Sequence, residues 1–146
     1  MGLVPPWWSP TPPEARLPAK NLIAVIDDDD DVRVSITSLM ESLGFTIEAF
    51  PSAADFLASY NIRDTDCLIA DVHMPRMTGL ELHRHLTQSG YAIPTILITA
   101  YPDDSVRDRA LGEGVICYLS KPIEEDGLLR CIRTALEGGT ADRDPS

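Results

Sequence analysis

No run of apolar residues in this chain approaches the roughly 20 needed to cross a bilayer as a helix. The longest, such as residues 22–26, has the length of a strand. The N-terminus also lacks the basic start and apolar core of a secretory signal. Both absences are expected of a cytoplasmic protein. Positive charge is scarce: 12 Lys and Arg stand against 23 Asp and Glu, for a formal net charge of −11. Such a chain is not expected to bind nucleic acid directly, since phosphate contacts need Lys and Arg. Nor is it expected to bind an anionic membrane surface. Cysteine is sparse. Cys67, Cys117 and Cys131 stand singly, with no second Cys or His at zinc-ligand spacing. An odd count without a pairing motif predicts three reduced thiols that fill apolar space.

What is present is an ordinary globular composition, 44% hydrophobic and 24% charged, in a length of 146 residues that suits one domain with one core. Residues 1–20 read as a tail, because Pro5, Pro6, Pro10, Pro12, Pro13 and Pro18 exclude regular structure. Trp7 and Trp8 lie in that tail, where a docking or partner contact is expected no more than simple exposure without a role. Residues 138–146 are polar and read as a second tail or linker stub. The globular part is expected over residues 21–137.

Within it, short apolar runs alternate with stretches of helical period. Strands are predicted over residues 22–26, 45–50, 67–70, 95–98 and 115–119. Between them, Val32, Ile36, Leu39, Met40 and Leu43 recur at helical spacing and stop at Gly44. Ser52 to Asp55 opens a second helix with a capping-box-like pattern. Leu80, Leu82, His83 and Leu86 belong to a third helix ending near Gly90, on which His83 and His85 read as surface positions. Residues 103–112 form a polar fourth helix. Leu128, Leu129, Ile132, Ala135 and Leu136 stripe the last. This alternation predicts an α/β fold: a doubly wound, five-stranded parallel sheet with right-handed crossovers and helices on both faces.

In such sheets the site lies at the carboxyl ends of the strands. Those ends carry Asp27 and Asp28 after the first strand, Asp71 after the third, Thr99 after the fourth and Lys121 after the fifth. A strand order of 2-1-3-4-5 makes these neighbours. Three converging carboxylates need a cation, and a hard divalent ion with oxygen ligands, Mg²⁺, suits them. Asp28 and Asp71 are the expected direct ligands, Asp27 acts through a water, and the backbone carbonyl of His73 completes the protein side. Asp71 is the candidate nucleophile, since a carboxylate can attack phosphorus. Lys121 and the Thr99 hydroxyl would serve the phosphoryl oxygens. Singly, each residue has a plainer reading: an Asp or Thr after a strand is usually a turn former or helix cap, and one of Asp28, Asp29 and Asp30 is expected to cap the first helix. Four strand ends carrying the required types together are hard to obtain from capping alone.

The text Val25-Ile26-Asp27-Asp28-Asp29, then Asp71-Val72-His73-Met74-Pro75-Arg76-Met77-Thr78-Gly79, then Ile98-Thr99-Ala100, then Tyr118-Leu119-Ser120-Lys121-Pro122 resembles the response-regulator receiver family, and more narrowly its FixJ-type branch. The resemblance covers about residues 21–137. It implies the flavodoxin-like order 2-1-3-4-5 and a phosphoryl group taken by Asp71 from a sensor histidine kinase or phosphotransfer protein. It implies Mg²⁺ at Asp27 and Asp28, phosphoryl contacts from Thr99 and Lys121, Tyr118 as the switch aromatic and a cis Lys121–Pro122 bond. It further implies output to a downstream protein through the fourth helix, fifth strand and fifth helix, and allows a phosphorylation-dependent dimer. A receiver is no enzyme beyond its own phosphorylation and dephosphorylation.

Two positions vary in the family and tune the site: His73, two past Asp71, and Tyr101, two past Thr99. A bulky Tyr101 would shield the aspartyl phosphate from water, while His73 reads foremost as an ordinary loop residue. No helix-turn-helix module follows the last helix, so a stand-alone receiver is expected, with the receiver fragment of a DNA-binding regulator as the alternative. Other classes fit less well. A haloacid-dehalogenase-type phosphatase needs an Asp where His73 stands, and a nucleotide-binding domain needs a Gly-rich loop where residues 27–31 are all Asp. A phosphorylation-independent binding module has no need of the complete set.

Overall fold

The computed structural model describes residues 21–59 and 61–137. The expectations for residues 1–20, Trp7 and Trp8 included, and for residues 138–146 lie outside these. The elements in chain order are β1 (Leu22–Ile26), α1 (Asp30–Ser42), β2 (Thr46–Phe50), α2 (Ala53–Leu57), a 3₁₀ turn (Ile62–Asp64), β3 (Cys67–Asp71), α3 (Gly79–Gln88), β4 (Thr95–Thr99), α4 (Asp104–Gly112), β5 (Cys117–Ser120) and α5 (Glu125–Leu136). All strands pair in parallel in the order β2-β1-β3-β4-β5, as expected. Among the described residues no helix is long and apolar enough to cross a membrane.

The three central strands are continuous apolar runs because both their faces are covered. Alternate residues divide between two clusters. Ala24, Ile26, Leu68, Ala70 and Leu97 pack with Phe56, Leu82, Leu86 and Ala110, from α2, α3 and α4. Ile23, Val25, Ile69, Ile96 and Ile98 pack with Ile36, Met40, Leu128 and Ile132, from α1 and α5. The edge strands β2 and β5 are only partly buried.

Helix ends follow local chemistry. Asp29 is the residue that caps α1, its carboxylate accepting from the N–H groups of Asp31 and Val32. Thr78 and Glu81 form a complete capping box on α3. Ser52 caps α2 by accepting from Asp55 N–H, but that helix runs for only five residues. Gly44 and Gly90, at φ of 94° and 89°, end α1 and α3 in the left-handed region that favours glycine.

Three expectations change. Asp71 and Thr99 are the last residues of β3 and β4 rather than the first of their loops, so sheet hydrogen bonds fix their backbone. His83 is buried, not on the surface, because it falls on the stripe of Gly79, Leu82 and Leu86 that faces the sheet; His85 is exposed as expected. The thiols are not all free. Cys117 and Cys131 are bonded to each other, Cα atoms 6.1 Å apart, and only Cys67 is free among the described residues. The pairing follows from the packing of α5 over the edge strand, which no sequence motif announces.

Candidate functional site

Asp27 follows β1 and is fully buried, Asp28 beside it is exposed, and Asp71 closes β3 with 5% exposure. β1 and β3 are direct neighbours, so the three carboxylates meet: one oxygen of each lies within 4.8 Å of the others. Lys121 reaches back from the end of β5 and puts its Nζ 2.9 Å from Asp27 Oδ2 and 3.1 Å from Asp71 Oδ2. One ammonium thus pairs with two of the three carboxylates. The Lys121–Pro122 bond that turns this loop is cis.

Backbone groups fix the acids. Asp29 N–H donates to Asp27 Oδ1 at 2.9 Å, and His73 N–H donates to Asp71 Oδ1 at 3.0 Å. Burial pushes the Asp27 carboxyl above the usual carboxylate range, with the Asp71 charge adding to it, while the Asp29 N–H and Lys121 pull the other way. Burial also works against the charge on Lys121. Its ion pair with Asp27 and its hydrogen bond to Asp71 outweigh that and hold the ammonium above the ordinary lysine range.

The arrangement fits a hard divalent cation. Asp27 Oδ2 is buried and, among the described residues, accepts no hydrogen bond; its ion-pair partner Lys121 Nζ stands 2.9 Å away without donor alignment. Two carboxylates offer further oxygens within the same few ångströms, and an all-oxygen donor set suits Mg²⁺.

The remaining predicted residues stand around this centre. Thr99 is fully buried at the end of β4, next to β3, and its Oγ1 accepts from Tyr101 N–H at 2.9 Å. Lys121 N–H donates to Thr99 O at 2.8 Å, which ties the two strand ends together. Tyr101 is 72% exposed, and its ring meets that of His73 edge-on at 5.6 Å between centroids. Tyr118 leaves β5 on the opposite side from Cys117 and Leu119, and its hydroxyl accepts from Asp103 N–H at the start of α4, 3.1 Å away. It is therefore beside the site's strand but bonded outward to α4.

Two supporting residues were missed in the sequence. Arg33 donates to the Asp27 backbone carbonyl and pairs with Asp30, tying the first turn of α1 to the end of β1. Its only signal was a basic residue two positions past an acidic run. Gly79 opens α3 directly under the site: a Cβ there would lie 2.5 Å from Asp71 O and 2.8 Å from Leu97 Cδ2. Its signal was a glycine at the first position of a well-capped helix, where a better helix former would be usual.

The sequence of the response regulator receiver domain family matches this chain over residues 23–133. The response regulator protein TodT of Pseudomonas putida is 38% identical over 117 residues, 80% of this chain and 52% of that protein. The transcriptional regulatory protein FixJ of Azorhizobium caulinodans is 34% identical over 120 residues, 82% of this chain and 57% of that protein. Among solved structures, response regulator StyR superposes with a TM-score of 0.77 at 38% identity, covering 86% of this chain and 63% of that one. FixJ-N superposes with a TM-score of 0.73 at 31% identity, covering 81% and 94%. The chain spans about half the length of the curated relatives it matches.

Proposed function

This chain belongs to the response regulator receiver domain family, and from that premise we propose that Asp71 is its phosphoacceptor, charged by a phosphohistidine of a sensor kinase or phosphotransfer protein. The observation that carries the reading is the meeting of Asp27, Asp28 and Asp71 under a single lysine at the strand ends. An oxygen of Asp71 attacks phosphorus, the P–N bond to the donor imidazole breaks, and the imidazole leaves with its electron pair. His73 N–H and Lys121 orient the Asp71 carboxylate beforehand. Lys121 then serves a phosphoryl oxygen as a point charge. The Thr99 hydroxyl already accepts from Tyr101 N–H, which leaves its own proton free to donate to another. Asp28, Asp71, the His73 carbonyl and, through a water, Asp27 would hold Mg²⁺, which supplies charge neutralisation for the transferring group. Receiver domains are not enzymes in the ordinary sense.

Signal leaves by protein contact. Tyr118 links β5 to the start of α4, which supports the α4, β5 and α5 face as the one that changes when Thr99 and Lys121 take up a phosphoryl group, either for a downstream protein or for a second copy. A second reading rests on length: the relatives are about twice the matched segment, and the same domain would then serve as the receiver of a longer DNA-binding regulator.

The test is incubation with Mg²⁺ and acetyl phosphate, read by intact mass. A single added phosphoryl group is expected, absent in Asp71→Ala and with a chelator. No gain from any of several small donors or a partner phosphohistidine would leave a phosphorylation-independent module. Tyr101, standing with His73 at the rim, shields the product from water; Tyr101→Ala is expected to shorten its lifetime roughly tenfold, ~1.4 kcal/mol of barrier. An unchanged decay rate discards that role.

A further inference from the structure

Cys117 opens the edge strand β5 and Cys131 sits midway along α5. Their bond joins positions 14 apart in sequence. The ring so closed contains Tyr118, Lys121 and Pro122, the residues that couple β5 to the acidic centre and to α4. The three cysteines differ in their surroundings. Cys67 is fully buried in β3, and burial pushes its thiol up to about 12, so it does not enter exchange chemistry. Cys131 is nearly as buried, between Leu128 and Ile132. Cys117 is only partly buried, on the edge strand β5, and packs against the cluster that α1 and α5 cover. A bond between a partly buried cysteine and a buried one has a more approachable sulfur for attack and a sheltered resolving partner.

We propose that Cys117 and Cys131 are a reversible redox site that exchanges with low-molecular-weight thiols and disulfides and, when closed, ties the strand carrying Lys121 to α5. Closing starts with the Cys117 thiolate attacking a small disulfide. That S–S bond breaks, one thiol leaves, and a mixed disulfide forms on Cys117. The Cys131 thiolate then attacks the Cys117 sulfur and expels the second small thiol. Two protein thiols are oxidised, one small disulfide is reduced to two thiols, and the two cysteine protons pass to the leaving groups. Opening is the reverse. Disulfides in a thiol-rich compartment are usually of this transient, sensing kind. The closed ring restrains the movement of Lys121 and Tyr118, so phosphorylation is slower in the closed form; this last step alone rests on the phosphoacceptor reading.

The full chain is equilibrated without oxygen across a series of reduced-to-oxidised glutathione ratios, quenched in acid, alkylated in denaturant and weighed. The expected result is a single reversible step between three labelled thiols and one, with the remaining label on Cys67. Cys117→Ser and Cys131→Ser each lack that step. The closed form melts about 10 °C above the reduced parent, a comparison that does not depend on either variant folding. Three labels at every ratio, one label at every ratio, or a last label on Cys117 or Cys131 would each overturn the site. Acetyl phosphate and Mg²⁺ are then added to both redox forms. A severalfold faster gain of mass in the reduced form supports the coupling, and equal rates remove it. If neither form gains a phosphoryl group while the thiols still titrate, the phosphoacceptor reading has failed and the redox site stands.

Discussion

Asp27 is a fully buried acid whose nearest cation is shared with Asp71. Burial raises its carboxyl pKa on folding. A group raised in the folded state stabilises the fold at low pH, and that stabilisation is lost as pH rises through the folded value. At neutral pH the ionised Asp27 therefore weakens the cation-free domain. Asp27→Asn is expected to raise the urea midpoint at pH 7, and to weaken the stabilisation that Mg²⁺ gives the parent. A lower midpoint would show that Lys121 needs the Asp27 charge more than the site suffers from it. Gly79 is constrained differently. An added methyl group meets Asp71 O at 2.5 Å, and overpacking against backbone typically costs ~1–3 kcal/mol. Gly79→Ala should lower the unfolding midpoint and loosen Mg²⁺ binding together, by shifting the backbone of Asp71; denaturant titration with and without Mg²⁺ reads both. These two residues also mark what was legible. The acids could be read because strand ends and residue types are both local. The contact at Gly79 could not, since it depends on how closely α3 approaches β3.

At the scale of elements, α3 and α4 form a pair with contrasting anchors. α3 buries Leu80, Leu82, His83 and Leu86, whereas Ala110 is the buried residue of α4. α4 is held instead by polar ties: the Asp103 cap, the Tyr118 hydroxyl and the two-pronged Arg84–Glu113 pair at 2.7 and 2.9 Å. Elements with few apolar contacts open first. Amide hydrogen exchange is expected to be faster in α4 than in α1, α3 or α5, and Tyr118→Phe should speed it further at Asp103; protection equal to that of α3 would contradict this. His83 shows why polarity misled the reading of α3. Its spacing put it on the apolar stripe while its chemistry suggested solvent, and packing won. Burial lowers its pKa, with Glu113 opposing the effect and Arg84 adding to it, and among the described residues its Nδ1 has no hydrogen-bond partner. Below an unfolded pKa of about 6.5 the unfolded imidazole takes a proton the folded one resists. Stability should therefore fall as pH drops from 7 to 5.5, and His83→Gln should flatten that slope in urea titrations.

For the whole molecule, the order β2-β1-β3-β4-β5 does most of the work. Alternation of short apolar runs with helical stripes was enough to read the parallel sheet, because parallel strands buried on both faces leave that mark. The disulfide was not readable, because Cys117 and Cys131 meet only after α5 has folded back over β5. Strand ends shifted by a residue or two, as at β5, for the related reason that pairing partners rather than composition decide where a ladder stops.

The same order has a temporal side. A chain emerging from its N-terminus completes β1, β2 and β3 first, and these three are contiguous in the sheet. Asp27, Asp28 and Asp71 are therefore all synthesised before Lys121 exists, the last of them fifty residues earlier. Until β5 arrives, any early β2-β1-β3 assembly carries its carboxylates without their ammonium, so a nascent receiver depends on solvent or a free cation to hold that acidic edge together.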